Sequence, residues 1–119
     1  MNAATYRSLY VDMVSLREHL KVLHFQTNNY GVHKTVDTFL TTYDALFDRF
    51  WETAQSDKFR ITLDGAILKF NNIRSYDDLE PLLKTVLNGI SAVTERGLLN
   101  VCDELAEAIQ QFAYLMTFA

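Results

Sequence analysis

Four side chains in the segment from residue 33 to residue 52 could together bind a metal ion. They are His33, Asp37, Asp48 and Glu52, and the gaps between them are 4, 11 and 4 residues. In a helix, a gap of four is just over one turn and a gap of eleven is almost three turns, so all four side chains share one flank. Two ligands at positions i and i+4 can hold one metal ion from a single helix.

The two pairs are too far apart to share an ion within one chain, because the rise from His33 to Asp48 is about 22 Å. However, the positions are mirror-symmetric, because the midpoint between residues 33 and 52 is also the midpoint between residues 37 and 48. If two copies pack antiparallel about a two-fold axis, His33 faces the partner's Glu52 and Asp37 faces the partner's Asp48. Each of the two resulting sites would have one imidazole and three carboxylates, a set that suits iron or manganese better than copper or structural zinc.

The composition is typical of a globular protein, and we expect a single domain that spans residues 1–119. Hydrophobic residues make up 49 % of the chain and charged residues 22 %, with one proline and four glycines. Apolar runs at helical spacing therefore predict an all-α fold. No run approaches the roughly 18 apolar residues of a membrane span, and the N-terminal residues lack the pattern of a secretory signal.

The net charge and the cysteine content bear on the expected partners and the expected cellular compartment. The net charge of −4 argues against a DNA-binding protein, which needs a basic face or tail. Cys102 is the only cysteine, so an internal disulfide is excluded; it fits a reducing compartment or a core position. We expect a cytoplasmic protein.

Apolar periodicity predicts four helices. The first covers about residues 3–27, and Asn28 to Gly31 form the turn that follows it. The second covers about residues 32–55. The third begins after Ser75, which is followed three residues later by an acid, as in a helix-capping signal. A break at residues 94–97 precedes the fourth helix.

The connection between the second and third helices, residues 56–74, is long and apolar but has no clear period. It predicts a crossover that packs along the bundle, with a turn or two of helix at residues 64–70. Two short links and one long link give the connectivity of a ferritin-like four-helix bundle.

Several of these motifs resemble the mini-ferritins called Dps, the DNA-protecting proteins of starved cells. The resemblance rests on Leu23-His24-Phe25-Gln26 near the end of the first helix, a glycine-containing turn, His33-x3-Asp37 and Asp48-x3-Glu52. The whole chain also resembles short Dps-like proteins of phages and other viruses. Matching segments are Tyr30-Gly31-Val32-His33-Lys34, the stretch Tyr43-Asp44-Ala45-Leu46-Phe47-Asp48-Arg49-Phe50, and Tyr114-Leu115-Met116-Thr117.

The resemblance implies a ferroxidase centre shared by two-fold-related subunits, in which iron(II) is oxidised and stored. Its ligands would be His24, His33 and Asp37 of one subunit with Asp48 and Glu52 of the partner subunit. The resemblance also implies a homo-oligomer built through contacts of the second helix, with twelve subunits as in Dps one such assembly. The lysine-rich tails of DNA-binding members are absent, and a phage-encoded protein would work in the host cytoplasm.

Other interpretations remain open for the same residues. The acids could form a solvated helix surface, and manganese or zinc could replace iron. The chain could also be a non-catalytic helical structural or interaction module, such as a component of a phage particle. Asp44 is a candidate outer ligand on the path of incoming iron or a surface acid, whereas we expect His19 at the surface and Trp51 in the core or an interface.

Overall fold

The computed structural model describes residues 2–56 and 59–119, and these residues form four α-helices. The helices are α1 (Ala3–Gln26), α2 (Tyr30–Ala54), α3 (Tyr76–Ser91) and α4 (Leu99–Met116), with one 3₁₀ turn at Arg96–Leu98. The predicted all-α fold and its four helices are confirmed. No helix in the described ranges has the length and apolar character needed to cross a bilayer.

The apolar stripe predicted for the first helix is the face of α1 that enters the core. Its members are all at most 3 % exposed: Leu9, Met13, Leu16, Leu20 and Leu23. Burying a side chain of this size stabilises the fold by about 1.5–3 kcal/mol. The stripe therefore makes α1 a central element of the core, packed against both α2 and α3.

Neighbouring helices run antiparallel. Gly89, near the end of α3, lies against Leu9, near the start of α1; a Cβ at Gly89 would come within 2.6 Å of the Leu9 side chain. On the other side, Phe39 of α2 stacks on Phe112 of α4 with ring centroids 4.4 Å apart. Since α4 also packs against α3, each helix has two antiparallel neighbours in the bundle.

The connection between α2 and α3 is not helical in residues 59–74, so the expected turn or two of helix at residues 64–70 is wrong. A turn at residues 63–66 takes its place, closed by a hydrogen bond from the Ala66 N–H to the Leu63 carbonyl at 2.9 Å. Gly65 has a φ of 78° in this turn, a left-handed conformation that interrupts a right-handed helix. Residues 57 and 58 of the predicted connection lie outside the described residues.

Polar side chains of α1 hold this connection along the length of the helix. Near the start of α1, Arg7 donates to the carbonyls of Thr62 and Asp64, both at 2.8 Å. At the end of α1, Gln26 accepts a hydrogen bond from the Ile73 N–H at 2.9 Å. The connection therefore runs in the same direction as α1 and carries the chain from the end of α2 to the start of α3.

His19 fixes the middle of the connection, and the expectation that it lies at the surface is wrong. Its side chain is fully buried. Nδ1 donates to the Ser15 carbonyl at 2.7 Å, and Nε2 accepts from the Asn71 N–H at 3.0 Å. This histidine satisfies a backbone donor that the non-helical connection leaves without a partner of its own. Cys102 and Trp51 are buried, as expected.

Candidate metal centre

A three-residue link places His24 and His33 side by side. His24 lies in the last turn of α1 and His33 in the first turn of α2. The Asn29 side chain caps α2 by accepting from the Val32 N–H at 3.0 Å, and the Thr27 hydroxyl accepts from the Asn29 N–H at 3.1 Å. These local hydrogen bonds let α2 start immediately after α1 ends.

The two histidines are paired through the backbone. His33 Nδ1 donates to the carbonyl of His24 at 2.7 Å, and His24 Nδ1 donates to the carbonyl of His33 at 3.1 Å. Their rings stack with centroids 3.8 Å apart and an angle of 19° between planes. A carbonyl only accepts hydrogen bonds, so both rings carry the proton on Nδ1.

This pairing leaves Nε2 of each ring as the nitrogen that could bind a metal. In the neutral Nδ1–H tautomer, Nε2 keeps the lone pair that a metal needs. Histidines that bind metals usually donate the other ring nitrogen to a carbonyl or carboxylate, which fixes the ring orientation. His24 is 9 % exposed, so its orientation is also limited by packing.

Asp37 joins the histidine pair from the next turn of α2. Its Oδ1 lies 3.5 Å from Nδ1 of His24, and half of its side chain is exposed. The structure therefore places Asp37 beside His24, and His24 beside His33, but the carboxylate lies at Nδ1 of His24 and not at Nε2. The carboxylate remains accessible from solvent.

The other two predicted ligands lie farther along the same helix. Asp48 and Glu52 are exposed on α2, and neither forms a hydrogen bond or ion pair with another described residue. Within one chain, no group of three or more His, Cys, Asp or Glu side chains in the described ranges is arranged to hold a metal ion. The pairing of these two acids with the histidines in one site stays a prediction that involves a second copy of the chain.

Asp44 is engaged by a cation. Its Oδ1 accepts a hydrogen bond from Arg17 Nε at 2.6 Å, and the same guanidinium pairs with Glu18 at 2.7 Å. The bond to Asp44 raises the pKa of Arg17 above its ordinary value. An open groove of about 370 Å³ is lined by these three side chains and by Asp48. Asp44 thus stands beside a predicted ligand, and its role as an outer ligand stays a prediction.

We call the carboxylates along this side of α2 the acidic flank: Asp37, Asp44, Asp48 and Glu52. Sequence reasoning found all of its members because the gaps of 7, 4 and 4 residues keep them on one side of a helix. It missed the backbone partners of the histidines, since ring orientation depends on how the link folds. The nine-residue spacing of His24 and His33 across a short turn was the available signal.

Comparisons with protein families, with curated proteins and with solved structures give no match for this chain. The resemblance to mini-ferritins therefore rests on the residues and their spacing. The geometry of the histidine pair is an independent observation that bears on the same residues.

Proposed function

We propose that this chain is a Dps-like mini-ferritin that binds iron(II) at sites shared between two copies of α2. The observation that supports this most is the histidine pair, whose Nδ1–H groups are both held by backbone carbonyls. Bonds of this kind fix the ring orientation of histidines that bind metals, and Asp37 lies 3.5 Å from Nδ1 of His24.

Iron is the substrate in this proposal, and the carboxylates match its chemistry. Hard oxygen ligands bind iron(II) and stabilise iron(III) more strongly, which favours oxidation by peroxide or oxygen. The histidines fix the position of the ion on one side. The partner's Asp48 and Glu52 complete the site, and the acidic flank provides carboxylates that could hold the ferric product.

The fold supports the ferritin-like assignment through its connectivity. Antiparallel neighbours, two short links and one long connection along α1 are the arrangement of ferritin-like bundles. Mirror-symmetric ligands on α2 favour a dimer about a two-fold axis, from which a twelve-subunit cage could be built. The proposed setting is the cytoplasm of a cell, or of the host if a phage encodes the chain, with no role in DNA binding.

The test compares iron(II) oxidation by peroxide in the wild type with that in His33→Ala and Asp48→Asn. Both variants should lose rapid oxidation while keeping the helical circular dichroism of the wild type. Glu107→Ala, which removes an exposed acid from α4, is the control and should oxidise iron normally. Wild-type rates in the first two variants would refute the site.

The native mass and metal content of the purified protein separate this function from the alternative. Bound iron, manganese or zinc in an oligomer agrees with the proposal. A metal-free oligomer that also fails to bind added iron(II) would favour a non-catalytic structural or interaction module.

A further inference from the structure

An aspartate–glycine pair forms the tip of the turn in the connection between α2 and α3. Asp64 and Gly65 are both exposed, and no heavy atom beyond the neighbouring residues lies within 4 Å of the position that a Cβ at Gly65 would take. Neither the Asp64 carboxylate nor the Gly65 N–H has a hydrogen-bond partner among the residues that the structure describes. The pair therefore combines a solvent-exposed carboxyl group with an unengaged backbone nitrogen.

An aspartate that precedes a glycine can close a cyclic imide with its own backbone. The Gly65 nitrogen attacks the carboxylic acid carbon of Asp64, a C–N bond forms, and the amide proton leaves with the carboxyl hydroxyl as one water molecule. Another water molecule then opens the ring. Opening at the backbone carbonyl of Asp64 gives isoaspartate, in which the chain continues through the former side chain. Glycine favours this reaction because it has no side chain beside the attacking nitrogen.

The conformation of the turn keeps the two reacting atoms apart. Gly65 has a φ of 78°, no described non-glycine residue has a positive φ, and the Ala66 N–H donates to the Leu63 carbonyl at 2.9 Å. These features define a type II turn, in which the second residue has a ψ of about +120°. Ring closure requires the Gly65 nitrogen to eclipse the Cβ of Asp64, which is a rotation of roughly 120° away from that value.

Arg7 of α1 resists this rotation. Its guanidinium donates to the carbonyls of Thr62 and Asp64, both at 2.8 Å. The guanidinium is a rigid planar fork, so it holds the two carbonyls in one arrangement. The Asp64 carbonyl and the Gly65 nitrogen belong to the same planar peptide group, so neither can turn about the Cα–C bond without the other. Ring closure would therefore break the bond between Arg7 and the Asp64 carbonyl.

We propose that Asp64–Gly65 is a site of spontaneous isoaspartate formation that Arg7 keeps unreactive in the folded protein. The reaction needs water but no metal, oxidant or partner, so it is independent of the proposed function. When Arg7 leaves the Asp64 carbonyl, the peptide group can turn and the ring can close. Isoaspartate adds one backbone atom inside the turn that the bond from Ala66 to Leu63 closes, so the turn cannot keep its present form.

A second pair in the same chain, Asn88–Gly89, provides an internal reference. It closes the same kind of ring with loss of ammonia, and in an unfolded chain it reacts faster than aspartate–glycine because a carboxylate is a poor electrophile. In the folded protein this pair lies within α3, where helical hydrogen bonds fix the backbone, and it is outside the turn that Arg7 holds. Modification of Asn88 therefore reports unfolding of the chain, whereas modification of Asp64 also reports the state of the turn.

The test ages the folded wild type, Arg7→Ala and Lys69→Ala in the same neutral buffer and measures isoaspartate at residue 64. Peptide mapping with electron-transfer fragmentation distinguishes it from aspartate. Arg7→Ala should form isoaspartate several-fold faster than the wild type, with no rise at residue 88. Lys69→Ala is the matched control, because it removes an exposed cation of the same connection but no bond of the turn, and it should match the wild type. Equal rates in Arg7→Ala and the wild type, or a parallel rise at residues 64 and 88, would overturn the proposal.

The same measurement in urea separates the effect of the fold from that of the local sequence. Unfolded wild type and unfolded Arg7→Ala should form isoaspartate at the same rate, and the wild type should react several-fold faster unfolded than folded. Arg7→Lys keeps the charge but has a single donor nitrogen, so its rate in the folded state should lie between those of the wild type and Arg7→Ala. A folded wild type that reacts as fast as the unfolded chain would refute the protection by Arg7.

Discussion

A mixture of two inactive variants should regain activity if the site is shared between subunits. His33→Ala removes a ligand from one half of each site, and Asp48→Ala removes a ligand from the other half. When the two chains are unfolded and refolded together, the mixed dimer has one site with both defects and one site with neither. Two variants that are each inactive alone should therefore regain part of the wild-type oxidation activity when they are refolded together.

The expected recovery follows from the symmetry of the interface. Random pairing of equal amounts makes about half of the dimers mixed, and each mixed dimer has one intact site of two, so activity should reach about one quarter of wild type. A larger assembly built from the same pairs gives the same fraction. The design uses the positions of His33 and Asp48, which lie on opposite halves of α2.

The assay is the initial rate of iron(II) oxidation by peroxide at equal total protein, with circular dichroism to confirm refolding. His33→Ala mixed with Asp37→Ala is the matched control. Both substitutions remove a ligand from the same half of the site. Every site in the mixed dimer therefore lacks one ligand, and iron(II) oxidation should stay absent. Recovery in the control mixture, or none in the test mixture, would refute the shared site.

Three further predictions concern the buried His19 and the partly buried Asp12 of α1 and the buried thiol of Cys102 in α4. His19→Phe loses the bonds to the Ser15 carbonyl and the Asn71 N–H, and the free energy of unfolding in urea should fall by about 1–3 kcal/mol. Burial raises the pKa of Asp12, so folding becomes less favourable as pH rises through that pKa; Asp12→Asn should raise the melting temperature at pH 7, and the gain should vanish below about pH 3.9. Burial also raises the pKa of the Cys102 thiol to about 11, so alkylation at pH 8 should be slow and become fast in urea; fast alkylation of the folded protein would contradict its core position.

The helices could be predicted from sequence because each has a clean apolar period. The stripe of α1 repeats at gaps of three and four residues, and every member is buried. The connection between α2 and α3 could not be predicted in the same way. Its conformation depends on contacts with Arg7, His19 and Gln26, which lie more than 45 residues away in the chain. Local preference carries no information about such partners.

The candidate ligands of α2 could be found as a set because they lie on one continuous helix, whereas the contacts between the histidines could not be predicted. Whether His24 and His33 meet depends on where α1 stops and α2 starts, and a difference of one residue turns each ring by about 100° around its helix. His19 is another residue whose surroundings could not be predicted from the sequence. Beside Glu18 it looked like a surface residue, but its position on α1 faces the connection rather than solvent.

In the proposed dimer, the negative charges of α2 would link metal binding to association of the two subunits. Within the acidic flank, Arg17 pairs with Asp44, whereas Asp37, Asp48 and Glu52 have no lysine or arginine partner among the described residues. Antiparallel pairing of two such flanks would bring these charges together. Two like charges about 4 Å apart at a protein surface repel by up to about 4 kcal/mol. A divalent cation between His33 and the partner's Asp48 and Glu52 removes this cost, since it replaces repulsion by attraction at the same place. In this dimer the metal would therefore be part of what holds the subunits together, and binding of iron and association of the chains would strengthen each other.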